Sequence, residues 1–375
     1  MKTTIKTSEL KAYLKVAKPF VTNKIIDVLE CVNIKVSGSD GKTTAKVTNL
    51  EQHLEYSFDS LGESLSGEIS LPFKDLQDYV NTLSDDTVTI EAKFDGLADI
   101  NGFKLMGITL DDEGFTKFPL LPEFDKPESL LFSSLLFHEL DTASKYASKD
   151  DLRPQMTGVY IGTIDKVLTI ACTDAHSLYK GEIATIDKEF SLIVPAKAAA
   201  QHVSKIAAQL GSASNDVLIE WNENNVVFSQ DRWRLYSRLI DARFPNINAV
   251  IPTENPVQVT FNKAAMHKAI DKVKIAANKT SKVMNVNVAD GQIELECIDI
   301  DENKELRTAI PCNIEGDGIE IAFNHAFLSD ILKAVVSPEV TLQMSTDSRA
   351  AVIQEFHRTY LIMPVMRTKP EGAEE

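Results

Sequence analysis

The sequence predicts an α+β protein of three tandem domains, each made of two units of one helix and about four strands. Three observations lead there. Six strand-to-helix junctions recur at near-even spacing along the 375 residues. β-type runs separated by turn residues fill the intervals. Two polar, proline-bearing stretches divide the six units into three pairs.

The junctions justify the helices one by one. Thr4–Ser8 leads into Leu10, Tyr13, Leu14 and Ala17. Ile69–Pro72 leads into Leu76, Tyr79, Val80 and Leu83. Leu130–Ser133 leads into Leu136, Leu140 and Ala143, and Leu192–Pro195 into Ala199, Val203, Ile206 and Ala207. Val257–Asn262 leads into Met266, Ala269, Ile270 and Val273, and Ile319–Asn324 into Phe327, Leu328, Ile331 and Leu332. Each set follows the i, i+3, i+4 spacing of one apolar helix face. Ser8, Pro72, Ser133, Pro195, Asn262 and Asn324 stand at equivalent starts, 64, 61, 62, 67 and 62 residues apart. Ser and Asn suit a helix cap, and Pro suits a first turn, where its missing N–H is no loss.

Strands are expected at Val28–Val36, Lys46–Leu50, Val167–Cys172, Val217–Trp221, Val283–Val288, Ile293–Ile298 and Val340–Met344. Turns are expected at Ser39–Gly41, Asp95–Gly96, Glu223–Asn225 and Asp290–Gly291. The linkers Pro122–Pro127 and Pro252–Pro256 set domain boundaries at 1–125, 126–254 and 255–368, with an acidic tail at 369–375.

Composition narrows the function. A 43% hydrophobic, 25% charged chain reads as ordinary soluble globular sequence, with no apolar run long enough to span a bilayer and no apolar signal core at its start. Cys31, Cys172, Cys297 and Cys312 lack metal-ligand spacing and read as buried thiols in a reducing cytoplasm. The formal charge of −16 argues against a protein coated in nucleic acid, but not against positive charge kept on one face. The stretch 261–282 is the exception to that charge, with six lysines against one acid. No nucleotide-binding, nucleophile-elbow or zinc-protease motif occurs. Asp174 and His176 could serve a metal-dependent hydrolase, but no second cluster supplies further ligands.

Several local stretches, taken together and in order, resemble the bacterial DNA polymerase III β subunit, or sliding clamp, family. They are Arg153–Val159, Ala171–Leu178, Leu239–Pro245 with Val250–Pro252, and Tyr360–Pro364. The first domain matches more weakly, through Thr48–Glu51 and Leu121–Pro122. The resemblance implies a non-catalytic, head-to-tail dimeric ring, with helices inside and sheets outside, that encircles duplex DNA without reading its sequence. It needs no cofactor or metal. It also implies a pocket between the second and third domains for a short Gln- and Leu/Phe-containing peptide of a replicative polymerase, a clamp loader or another partner. The matching pocket positions are Met156, Thr173, Ala175, His176, Ser177, Leu178, Pro245, Ala249, Val250, Ile362, Met363, Pro364 and Val365. Ala175, Ser177 and Ala249 depart from the family's usual Gly, Arg and Arg. Candidate DNA-lining residues are Lys11, Lys15, Lys18, Lys74, Lys145, Lys149, Lys197, Lys205, Lys263, Lys268 and Lys272; by position Lys24, Lys74 and Lys197 resemble the family's DNA contacts. Phe118 and Leu120 on a late strand, facing Ile275 and Ala276, are candidates for the subunit seam, with Lys74 opposite Glu296, Asp299 or Asp301. A clamp-like scaffold that binds partner peptides without encircling DNA is the alternative.

Overall fold

The computed structural model describes the chain except residues 22–25, 39–40, 94, 109–117, 122–123, 125–126, 134, 197–199, 212–215 and 368–375. Outside the described residues fall Lys24, Lys197, the acidic tail, the Ser39–Asp40 turn and part of the first expected linker.

Among the described residues six α-helices follow six strands, as the junctions predict: α1 (Thr7–Ala17), α2 (Phe73–Thr82), α3 (Leu135–Ser144), α4 (Gln201–Leu210), α5 (Lys263–Val273) and α6 (His325–Ala334). The asparagine caps behave as their chemistry requires. Asn262 Oδ1 accepts from the Ala265 N–H at 3.0 Å and Asn324 Oδ1 from the Ala326 N–H at 2.9 Å, each satisfying one orphan donor of a first turn. The other starts differ. Ser8 already lies inside α1, whose cap position is Lys6 with no side-chain bond. Pro72 occupies the cap position of α2, one residue before the first turn. After Pro195, Ala196 and Ala200 are π-helical, and α4 follows from Gln201. In α5 the buried residues are Met266, Ala269, Ile270 and Val273, the apolar stripe read from the sequence.

All strand pairings described are antiparallel, and the chain forms two compact units. The first holds residues 1–141 and 194–241. It contains a four-stranded sheet in the order Lys2–Lys6, Thr87–Ala92, Leu97–Ile100, Phe103–Met106. It also contains an eight-stranded sheet in the order Gly67–Pro72, Cys31–Val36, Thr43–Thr48, Gln52–Phe58, Trp233–Arg238, Asn225–Gln230, Asp216–Trp221, Glu128–Ser133. Two sets of four strands join at its centre, where Tyr56 faces Trp233 and His53 faces Tyr236. Helix α1 packs against α2 and α4, and its Tyr13 ring lies 6.0 Å from Tyr56 and 5.9 Å from Phe58.

The second unit holds residues 142–193 and 242–375. Its nine-stranded sheet runs Ser191–Pro195, Gly158–Ile164, Val167–Thr173, Ser177–Thr185, Arg358–Ile362, Ala351–Glu355, Glu339–Met344, Val257–Asn262, Asn313–Glu315. Here too two four-strand sets join, with Leu178 facing Leu361 and Tyr179 facing Tyr360. Its four-stranded sheet runs Lys304–Pro311, Gln292–Asp299, Val283–Ala289, Ile319–Asn324. The turn between the middle two strands is Asp290–Gly291, with φ of +51° and +75°, the geometry a two-residue hairpin needs. Each long sheet gathers strands from two of the expected tandem domains, so residues 126–254 are shared between the two units.

The expected strand Val28–Val36 begins late. Asp27–Glu30 forms a 3₁₀ turn, and pairing starts at Cys31. Cys31, Cys172 and Cys297 are buried and Cys312 is half-buried. Burial pushes the Cys31 and Cys297 thiols up to about 12, beyond the range of a reactive thiolate.

Candidate pocket and nucleic-acid face

Within the second unit, a tight turn joins Val167–Thr173 to Ser177–Thr185. Asp174 organises it: its Oδ1 accepts from the His176 N–H at 2.9 Å, the Ser177 N–H at 2.7 Å and the Ser177 hydroxyl at 3.0 Å. Thr173 Oγ1 donates to the Ser177 carbonyl at 2.8 Å and accepts from the Ala175 N–H at 3.1 Å. This network forces Ala175 to φ +75°, a left-handed conformation that costs an L-residue about 1–2 kcal/mol. The C-terminal segment docks on the same turn, with the Met363 N–H donating to the His176 carbonyl at 2.8 Å.

Beside the turn lies a cavity of about 760 Å³. Of the thirteen sequence-predicted pocket residues, Met156, Thr173, Ala175, Ser177, Leu178, Pro245, Ala249, Val250 and Met363 line it. Its floor is the apolar cluster of Leu178, Ile247, Ala350 and Leu361. A volume of this size with largely apolar walls is that of a pocket for a drug-sized ligand or a short peptide segment. The other four are placed differently. His176 lines a second cavity, of about 900 Å³, where its ring stacks on Phe327 at 5.8 Å. Ile362 is buried in its strand, opposite Ser177. Pro364 and Val365 continue past the cavity, the Val365 N–H donating to the Ala322 carbonyl at 2.9 Å.

Sequence reasoning missed Asn246, Asn248, Glu254, Ser348 and Arg349, which also line the first cavity. They sit in loops and a 3₁₀ turn (Ile247–Ala249), with no hydrophobic period to reveal them. Asp174 and His176 do not form a ligand pair here, because the carboxylate is committed to the turn and the imidazole to Phe327. Among the described residues no group of three or more His, Cys, Asp and Glu side chains could hold a metal ion.

The lysines of the expected lining fall into two groups. Lys74, Lys205 and Lys268 are exposed, with no hydrogen bond or ion pair to a described residue. Lys272 is exposed and reaches Thr308 Oγ1 at 3.3 Å. Lys263 is tied down instead: its ammonium donates to the Val335 carbonyl at 2.7 Å, past the end of α6. Lys11 does the same for α2, donating to the Leu83 carbonyl at 2.7 Å. Both satisfy helix C-terminal carbonyls at the negative end of the dipole. Lys11, Lys15 and Lys18 flank a shallow site of about 570 Å³ where α1, α2 and α4 meet.

The seam candidates are also sorted. Phe118 and Leu120 lie in an irregular segment, outside any strand, and Leu120 is fully exposed. Ile275 is exposed, whereas Ala276 is core. Glu296 pairs with Arg307 at 2.6 Å, and buried Asp299 accepts from the Asp301 and Glu302 N–H groups, so neither carboxylate is free for Lys74.

Repeated strand-to-helix units, long sheets made by joining four-strand sets, and an apolar cavity beside a tight turn define a pseudo-repeat α+β protein. Sequence models of a single family match it: DNA polymerase III beta subunit, central domain, over residues 136–246, and DNA polymerase III beta subunit, C-terminal domain, over residues 248–367. The chain belongs to the DNA polymerase III beta subunit family. It is 25% identical over 386 residues to the beta sliding clamp of Rickettsia bellii, covering 97% of this chain and 99% of that one. It is 27% identical over 314 residues to the beta sliding clamp of Synechococcus elongatus, covering 80% and 82%. Its fold matches the crystal structure of the DNA polymerase III subunit beta from Pseudomonas aeruginosa with a TM-score of 0.88, at 21% identity, over 97% of this chain and 100% of that one.

Proposed function

We propose that the protein is a DNA sliding clamp: two copies close head to tail into a ring that encircles duplex DNA and tethers a replicative polymerase, a clamp loader and other partners through a short peptide held beside Met363. It makes and breaks no bond, and processivity comes from topology. The chain is then three tandem domains, 1–125, 126–254 and 255–368, each contributing two of the six helices.

The observation that carries the ring is a rule of sheet joining. Each four-strand set has one edge strand that leads into a helix and one far edge. Both joins within the chain use far edges, Gln52–Phe58 with Trp233–Arg238 and Ser177–Thr185 with Arg358–Ile362. Among the described residues two sets remain unjoined, with far edges Phe103–Met106 and Lys304–Pro311. Applied between copies, the same rule pairs those two edges and closes a heterologous contact into a ring. The seam on this reading lies along Phe103–Met106 and Lys304–Pro311, with exposed Ile275 beside it, rather than at Phe118 and Leu120.

A ring that slides needs phosphate contacts that are weak, numerous and blind to sequence. Lys74, Lys205, Lys268 and Lys272, with Lys15 and Lys18, are the cations available for them. The test is retention on nicked circular DNA. The expected result is co-elution with the closed circle and loss on linearisation. Sedimentation as monomer at micromolar concentration, or equal retention on linear and circular DNA, would overturn it; a scaffold that only binds peptides gives no retention on either.

A further inference from the structure

The cavity walls are mostly apolar, so the polar side chains with unused capacity decide what polar feature a ligand must bring. Several are already engaged. Thr173 and Ser177 serve the Asp174 turn. Asn248 accepts from Lys180 at 3.3 Å and donates to Asp165 at 3.4 Å. Arg349 and Glu254 differ. Both line the cavity, both are exposed, and neither makes a hydrogen bond or ion pair with a described residue, including each other. Arg349 sits in the loop between Glu339–Met344 and Ala351–Glu355, and Glu254 in the segment before Val257–Asn262.

We propose that Arg349 is a specificity-determining residue: the peptide this cavity takes carries one carboxylate beside its apolar anchors, and the guanidinium pairs with it. Arg suits this task because its planar fork matches a carboxylate. Glu254, of opposite sign on the same cavity, disfavours a segment acidic along its length, so the site selects one placed carboxylate rather than net negative charge. Salt screens the acids beyond about 8 Å, so Arg349 acts on a carboxylate brought directly against it. This rests on reading the cavity as a peptide site.

The experiment uses the full-length protein and N-acetylated, fluorescent peptides of Gln, Leu and Phe that differ only at a central Asp, Asn or Lys, each amidated at its C-terminus. A fourth probe is the Asn peptide with a free terminal carboxylate. Anisotropy titration should rank Asp tighter than Asn by about threefold, and Asn tighter than Lys, the size of a partly exposed ion pair. Arg349→Glu should invert the order of Asp and Lys, and Arg349→Gln should abolish the preference for Asp over Asn. If the fourth probe alone binds tighter than amidated Asn, the carboxylate recognised is a chain terminus rather than a side chain. Equal affinity of all four probes for the wild type, or an order unchanged by Arg349→Glu in a variant with native circular dichroism, overturns the inference while leaving the peptide site standing. Failure of every probe to bind sinks the peptide site, and the inference with it.

Discussion

His53 is a buried histidine whose titration should be readable in the stability of one half of the molecule. It lies in Gln52–Phe58 at 5% exposure, across from Tyr236, with Nε2 3.5 Å from Thr48 Oγ1 and Nδ1 without a partner among the described residues. Burial, and then the Lys46 ammonium, lower its pKa to about 4 from an ordinary 6.5. The fold therefore favours the neutral ring. The associated stability is fully present above pH 6.5, falls away as the pH drops and is gone below about 4. The span of about 2.5 units corresponds to about 3 kcal/mol in total, of which about 2 kcal/mol is lost between pH 7 and pH 5. Both tryptophans, Trp221 and Trp233, belong to the first unit, and Trp233 pairs with Tyr56, three residues from His53. Urea unfolding followed by tryptophan fluorescence thus reports the unit that holds the histidine. Carboxylates titrate over the same range, so the comparison is with His53→Gln, which cannot charge. Its loss between pH 7 and pH 5 should be smaller than the wild type's by about 2 kcal/mol. Parallel curves for the two proteins would refute the reasoning.

Other perturbations follow from the same geometry. Ala175→Gly relieves about 1–2 kcal/mol of left-handed strain but frees the unfolded chain by about 0.4–1 kcal/mol, so a net gain of about 0.5–1 kcal/mol is expected. It is read from far-UV circular dichroism, because the second unit has no tryptophan, and a lowered midpoint would contradict it. Ile275→Asp, at a site 73% exposed in one copy, should leave the fold unchanged and weaken dimerisation by at least about tenfold in analytical ultracentrifugation; an unchanged dimer would remove Ile275 from the seam. Lys268→Glu with Lys272→Glu should weaken retention on DNA and flatten its logarithmic salt dependence by about two. An unaltered slope would take both out of the lining.

The sequence reveals the helices well because each carries a private signal. Asn262 and Asn324 cap as their side-chain chemistry dictates, and the stripe from Met266 to Val273 has only one way to be buried. Strand identity is nearly as legible: Asp290–Gly291 marks its hairpin by the residues that tolerate positive φ. Strand order is not legible. Nothing in Gln52–Phe58 names Trp233–Arg238 as its neighbour 180 residues later, because pairing depends on shape and burial at the join. The cavity divides in the same way. Thr173, Ser177 and Leu178 come from a strand turn that local pattern exposes, whereas Glu254 and Arg349 are brought there by loops. The reading of Lys263 as a lining residue fails to anticipate Val335 for a similar reason: its carbonyl belongs to the end of another helix, 72 residues away. Phe118 shows the converse: the strand expected there is not seen, and the residue lies in an irregular segment.

The unjoined edges carry a hazard as well as a purpose. A bare strand edge offers its N–H and C=O groups to any passing chain and is a template for aggregation. On Lys304–Pro311 the guard is visible: Lys304, Glu305 and Arg307 are charged and exposed, and Pro311 withholds a donor at its end. On the shorter Phe103–Met106, Lys104 is the lone charge and Met106 is exposed. A newly made copy can therefore wait in solution without recruiting strangers, since a mismatched strand would have to desolvate three charges along one edge. If the proposed seam lies on this edge, the same charges restrict which partner docks there, so self-protection and the choice of a mate are written on one strand.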